Sequence, residues 1–242
     1  MKVFRAEWST PEEQLAADEA LLDACEAGEA GTEGGVLRFY ETATPCVVVG
    51  YGNRLATEVD VAACDAAGVP VLRRASGGGT VLLGPGCLAY AVVLPVGLDP
   101  ALETVTGTNR WVMERNRTAL EAATGLPVVI RGHTDLAVDD WKFSGNAQRR
   151  RRRAVLFHGT FLLGMDLEPV ARLLPPPSSE PEYRRGRAHG AFIRNLGVSS
   201  DWVRGAMEAV WGVAGEWTGS LGERVAGWMG ERYGRREWHR RF

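Results

Sequence analysis

Lysine is almost absent from this chain. Of 28 basic residues only Lys2 and Lys142 are lysines, leaving 26 arginines. A GC-rich genome explains that bias and makes a retained internal lysine conspicuous. Arginine offers a planar fork, lysine a compact, strongly hydrated point charge. Lys2 stands at an N-terminus expected to fray, whereas Lys142 lies deep in the chain. Cysteine is scarce too. Cys25, Cys46, Cys64 and Cys87 form no C-x-x-C and no metal-ligand spacing, and none follows Cys87. Free thiols in a reducing cytoplasm are the expectation. No apolar run approaches a membrane span, and the opening residues carry charge but no apolar signal-peptide region. A net charge of −2 excludes a strongly basic nucleic-acid binder, and 45% hydrophobic with 24% charged residues excludes a disordered or fibrous chain. No fixed-period repeat is present.

What is there fits one sizeable core, since 242 residues do not make two full domains the default. Residues 9–28 read as a helix capped by Ser9 or Thr10, with Pro11, Glu12 and Glu13 in its first turn. Strands are predicted at 36–41, 46–51, 69–74, 80–83, 87–95, 127–131, 134–138, 141–148 and 154–164, mostly joined by short turns. Helices are predicted at 57–67, 100–124 and 167–174, then two amphipathic ones near 199–217 and 219–233. The pattern implies an α+β fold, a mixed and largely antiparallel sheet flanked by helices. Residues 1–242 read as a single domain with a C-terminal helical tail near 199–242.

Between two predicted strands lies Arg73-Arg74-Ala75-Ser76-Gly77-Gly78-Gly79-Thr80. Three glycines let a ligand approach the backbone, and successive N–H groups can form an anion nest. Arg74 and Ser76 would add donors. A plain glycine-rich hairpin turn is the competing reading; the paired arginines favour an anionic ligand. It is neither a P-loop nor a dinucleotide fingerprint, because a strand follows.

Five motifs in order resemble the lipoate–protein ligase family of the biotin/lipoate ligase superfamily. They are Asp18-Glu19-Ala20-Leu21-Leu22; Leu37-Arg38-Phe39-Tyr40 with Gly50; Arg73 to Val81; Asp135-Leu136-Ala137-Val138 with Lys142-Phe143-Ser144-Gly145-Asn146-Ala147; and His158-Gly159-Thr160. The resemblance spans roughly residues 9–195. It implies the class II aminoacyl-tRNA synthetase-like catalytic fold and puts the family's invariant lysine at Lys142. It also implies a reaction: ATP, with Mg²⁺ neutralising its phosphates, activates lipoate or octanoate as an acyl-adenylate. A lysine of a lipoyl-carrier domain then attacks. One mobile ammonium, Lys142, can stabilise charge in both steps. The glycine loop and Thr80 would cover acyl chain and adenylate, Arg74 and secondarily Arg73 would face carboxylate or phosphate, and Val81, Ala89 and Ala91 would form an apolar slot.

Other residues keep two readings. Asp135 is a ligand- or metal-binding carboxylate, or a turn cap. His158 lines the site or is structural, and Asn146 bonds the adenylate or serves an edge strand. The Arg149–Arg153 run is a solvated hairpin tip or a docking surface for an acidic carrier. Residues 183–189 are a second basic stretch of that kind. No metal ligands are assigned.

Two departures from the family matter. Where ligases continue into His-Asp, this chain reads Leu82-Leu83-Gly84-Pro85-Gly86-Cys87, a Gly-Pro-Gly similar to the octanoyl-transferase branch, which needs no ATP. Transferases use a cysteine nucleophile, but no cysteine occupies their positions; Cys87 is a buried apolar residue or an alternative nucleophile. The missing cysteines favour a ligase. Many bacterial ligases similar to this chain carry a separate C-terminal accessory domain, whereas only a helical tail is expected here. The chain therefore acts alone, with a separate accessory protein, or on preformed adenylate. A non-catalytic binder of lipoylated carriers is the rival from another class, and the retained Lys142 argues against it.

Overall fold

A computed structural model describes residues 1–242. The first helix, α1 (Pro11–Ala27), begins with a reciprocal cap. The Thr10 hydroxyl accepts the Glu13 N–H, the Glu13 carboxylate accepts the Thr10 N–H, and Pro11 occupies the first turn. Gly28, at φ +71°, closes it. The helix is buried almost all round, Asp18 and Glu19 included. Two buried carboxylates on one helix need partners. Arg38 serves Asp18, while Arg232 and Tyr233 serve Glu19.

The main sheet has seven strands: β1 (Lys2–Phe4), β2 (Val36–Tyr40), β6 (Cys87–Pro95), β10 (Ala154–Leu162), β9 (Trp141–Arg150), β8 (Asp135–Val138) and β7 (Val128–Arg131), in that spatial order. Only β1 and β2 run parallel. A second sheet sets β4 (Val71–Arg73) and β5 (Val81–Leu83) on either side of β3 (Cys46–Val49). Side-chain alternation along β6 separates two cores. Cys87, Ala89, Ala91 and Val93 join the core around α1, while Leu88, Tyr90, Val92 and Leu94 join the core under α4 (Val105–Thr124). This is the α+β, largely antiparallel architecture expected.

Several boundaries differ from expectation. The 57–67 helix is two, α2 (Leu55–Glu58) and α3 (Val61–Ala66), because Val59 is extended and Asp60 caps the second. α4 starts five residues late, after a 3₁₀ turn at Pro100–Glu103. α5 spans Glu168–Leu173. The 199–217 helix stops as α6 (Ser200–Val210); beyond it Gly212 takes φ +61° and Trp217 N–H bonds Val3 O. Residues 219–233 form α7 (Gly222–Trp228) and a wide π turn (Met229–Tyr233), and α8 (Arg236–Arg240) is unanticipated. Lys2 does not fray. It pairs with Val36 in β1, a strand too short to show a sequence period. No helix is long and apolar enough to cross a membrane.

Candidate active site

The β9–β10 ladder makes one patch of two motifs. Gly145 faces Thr160, Asn146 faces Gly159, and Ala147 faces His158. Opposite Asn146 only glycine fits, since a Cβ at Gly159 would meet Asn146 Oδ1 at 1.8 Å. Asn146 itself turns to the α4 face. There it accepts from Tyr90 Oη (2.6 Å) and donates to Thr134 O (2.6 Å) and Ser144 Oγ (3.1 Å). Asn116 donates from Nδ2 to the Tyr90 oxygen and accepts Trp211 Nε1–H on its own oxygen. The polar groups of the Asn146 side chain are thus all engaged within the protein. Residues 145 and 147 point to the opposite face, where a Cβ on Gly78 of the loop would lie 3.3 Å from Ala147 Cβ.

The glycine loop is held from below by Arg74. Its guanidinium donates to Gly77 O (2.5 Å), Gly79 O (2.8 Å), Val48 O (3.2 Å) and Ser76 Oγ (3.0 Å). Asn53 Nδ2 takes Gly78 O at 3.1 Å. All three glycine carbonyls are thus claimed by the protein, while no protein acceptor takes the Gly77, Gly78 or Gly79 N–H. That polarity is what an anion nest requires. Gly78, at φ +87°, supplies the left-handed step. Burial pulls the Arg74 pKa down to about 10. Both arginines of the pair are engaged by the protein itself. Arg73, fully buried, donates to Gly50 O, Tyr51 O, Asn53 O and Arg241 O. Neither arginine has a free fork. Thr80 donates to Glu58 Oε2, and Val81 opens β5 half-buried.

A second chain of bonds crosses the α1 face. Ser76 Oγ lies 2.6 Å from His158 Nε2, His158 Nδ1 lies 3.0 Å from Asp18 Oδ2, and Asp18 Oδ1 lies 2.6 Å from buried Arg38. Arginine only donates, so Ser76 accepts from Arg74 Nε; the Asp18 carboxylate only accepts, and with the neutral imidazole's proton on Nδ1 the Ser76 hydroxyl donates to Nε2. Four of the motifs meet in this chain. Ser76 is 1% exposed and ties the loop to both Arg74 and His158. Asp18 and Arg38 escaped assignment as site residues. The signal was a carboxylate pair in an apolar helix and an arginine inside the apolar strand Val-Leu-Arg-Phe-Tyr.

Lys142 Nζ lies 2.8 Å from Asp135 Oδ1, and its side chain is 26% exposed. Tyr183 Oη donates to Asp135 Oδ2 at 2.9 Å. Burial, then that carboxylate, pushes the Tyr183 phenol well above its ordinary pKa. Gly145 leaves room for the ammonium, since a Cβ there would stand 3.0 Å from Nζ. A β-bulge puts Lys142 on the same face as Gly145. Asp135 is therefore the ammonium's partner. No group of three or more His, Cys, Asp or Glu is placed to hold a metal ion.

Cys87 is 1% exposed, and burial pushes its thiol up to about 12. Cys25 and Cys46 are also raised to about 12 and Cys64 is raised, all chiefly by burial. The Gly84-Pro85-Gly86 turn is a packing device, since a Cβ on Gly86 would meet the Gly164 carbonyl carbon at 2.6 Å. The arginine run is not a solvated tip as a whole. Arg149 bonds Ala75 O, Arg150 bonds Leu102 O and Thr108, and Arg151 pairs with Asp23; only Arg152 and Arg153 are exposed. Arg149 thus reaches the backbone before the glycine loop, Arg150 the start of α4, and Arg151 helix α1.

A row of unclaimed N–H groups and a part-exposed ammonium on one sheet face suit a ligand bearing carboxylate or phosphate. The chain belongs to the lipoyl protein ligase A/B catalytic domain family, whose sequence model matches residues 10–197. It is 32% identical over 176 residues to a putative lipoate-protein ligase A of Aeropyrum pernix, covering 72% of this chain but 62% of that protein. It is also 32% identical over 189 residues to octanoyltransferase LipM of an Exiguobacterium species, covering 69% and 67%. A structure from the study of a bi-partite lipoate protein ligase and its E2 lipoyl domain from Thermoplasma acidophilum shares the fold at TM-score 0.81 and 24% identity, covering 99% of this chain and 96% of that one.

Proposed function

We propose that this protein is an ATP-dependent lipoate–protein ligase. One observation carries the choice over an octanoyltransferase: every cysteine is buried, and Cys87, the one thiol near the sheet patch, has its pKa raised to about 12. A thiol in that state has negligible thiolate at neutral pH and is a poor nucleophile. Lys142 is the group left to act.

In this reading the lipoate or octanoate carboxylate attacks the α-phosphorus of ATP, forming the acyl-adenylate and releasing pyrophosphate. The loop N–H groups hold the anionic oxygens. Lys142 leaves Asp135 for the oxygen where charge develops, first at the phosphate and then at the acyl carbonyl. Mg²⁺ arriving with the nucleotide would need few protein ligands, and Asp135 is the carboxylate that would hold it, where it would neutralise phosphate charge. The carrier lysine amine then displaces AMP, forming the amide. The bi-partite neighbour supports a lipoyl-carrier domain as acceptor and a separate accessory protein as helper.

The transferase reading draws on the LipM relative and the Gly-Pro-Gly turn. A paired assay separates the two. Carrier acylation from free lipoate and ATP, retained by Cys87→Ser, is expected. Acylation only from an octanoyl thioester of acyl-carrier protein, without ATP and lost in Cys87→Ser, would sink the ligase reading.

A further inference from the structure

The chain beyond the family match, from residue 198 onward, reaches under the glycine loop. α8 packs on β4, an edge strand of the smaller sheet. At Arg73 two side chains stand where a further strand would pair. Trp238 Nε1–H donates to Arg73 O at 2.8 Å, and Arg73 N–H donates to His239 Nδ1 at 2.9 Å. With Nδ1 accepting, His239 donates from Nε2 to Tyr233 O at 2.9 Å. Tyr233 Oη and Arg232 bond Glu19 of α1, at 2.9 and 2.7 Å. The support is therefore tied to the central helix.

From that fixed backbone the Arg73 side chain reaches the turn at residues 50–53, donating to the carbonyls of Gly50 (2.8 Å), Tyr51 (3.1 Å) and Asn53 (2.8 Å). The turn in turn holds the loop. Tyr51 N–H donates to Ser76 O at 2.8 Å, and Asn53 Nδ2 to Gly78 O at 3.1 Å. Gly50 lies so close that a Cβ there would meet Gly78 O at 2.1 Å. Every step is a direct contact.

We propose that Trp238 and His239 are positioning residues for ligand binding, acting on the glycine loop through Arg73 and the 50–53 turn. The inference rests on the loop being the ligand cradle of the proposed ligase. Neither residue bonds Lys142 or Asp135, so loosening them weakens binding and spares the chemical step.

The test compares wild type with Trp238→Phe, His239→Leu and His239→Asn. Asparagine keeps an acceptor near the Nδ1 position. Two readouts are taken on the full chain: KM and kcat for lipoate in ATP–pyrophosphate exchange, and, as the measure of loop exchange, amide hydrogen exchange at Tyr51, whose N–H is held by Ser76 O. Trp238→Phe and His239→Leu should raise KM about five- to tenfold, the worth of one hydrogen bond, leave kcat within about twofold, and speed loop exchange. His239→Asn should restore both. Unchanged KM and loop exchange, with only Tm lowered, would overturn the proposal. If His239→Leu does not fold, Trp238→Phe carries the test. Absence of exchange activity in wild type would count against the ligase reading alone, because loop hydrogen exchange still decides the positioning role.

Discussion

The two faces of the central strands carry polar networks of opposite character. On the α4 face, Asn146, Tyr90, Asn116 and Trp211 satisfy one another and lead nowhere. On the α1 face, Arg38, Asp18 and His158 lead to Ser76 and so to the glycine loop. The same strands build both. Tyr90 and Ala91 are neighbours, as are Asn146 and Ala147, and His158 and Gly159, and each pair splits between the faces. A closed network specifies a core. An open one transmits the core's rigidity to a surface. Buried polarity is therefore no guide to a site until one asks where its chain of bonds ends.

That contrast can be broken from either side. The largest effect is expected from Asp18→Asn, which strips the buried Arg38 charge of its partner (side chains 0% and 3% exposed). Breaking such a pair costs about 3–5 kcal/mol, and because the same carboxylate orients His158, lipoate KM should rise as well. Chemical denaturation and exchange kinetics would show both. Gly159→Ala should cost about 1–3 kcal/mol through overpacking against Asn146. Combined with Asn146→Ala it should cost less than the sum of the two; additivity would refute the contact. Asn116→Ala leaves the Tyr90 hydroxyl and the Trp211 N–H short of a partner, for about 1–3 kcal/mol of stability. Its KM should stay at the wild-type value, since the α4-face network stops short of the loop.

The smallest effect concerns pH. Burial lowers the His239 pKa, so the folded chain keeps this imidazole neutral where the unfolded chain protonates it. The stability it contributes is complete above the ordinary histidine pKa of about 6.5 and is lost as pH falls through that value and on through the folded one. His189 is shifted in the same direction, again chiefly by burial. Melting between pH 7.5 and 5.5 should therefore show a shallower decline in His239→Asn than in wild type, with the His189 share remaining. Equal slopes would remove His239 from the account.

Much of this was legible from residues alone. Thr10, Pro11 and Gly28 mark the ends of α1, and the glycine run marks the loop. Lys142 stands out by composition before any motif is considered. The unread parts have physical causes. Plain alternation would place Lys142 and Asn146, both even-numbered on one strand, on the same face. The bulge opposite Leu136 and Ala137 turns Phe143 and Ser144 to the α4 side together and separates them. Arg73 and Arg74 looked like ligand contacts because a guanidinium suits anions. Nothing local reveals that loop carbonyls will consume the fork, and that depends on a turn twenty residues upstream and on a C-terminal carbonyl. α8 is five residues long and held by tertiary contacts, so it left no period to read.

The central claim is that one ammonium, Lys142, serves an acyl-adenylate bound under the glycine loop. Lipoate-dependent ATP–pyrophosphate exchange by wild type and Lys142→Arg tests it most directly. Arginine keeps the charge but replaces a mobile point with a rigid fork. Wild type should exchange, and Lys142→Arg should lose about a hundredfold or more, the scale of one lost oxyanion donor, with its melting temperature nearly unchanged. Near-normal exchange by Lys142→Arg would contradict the account.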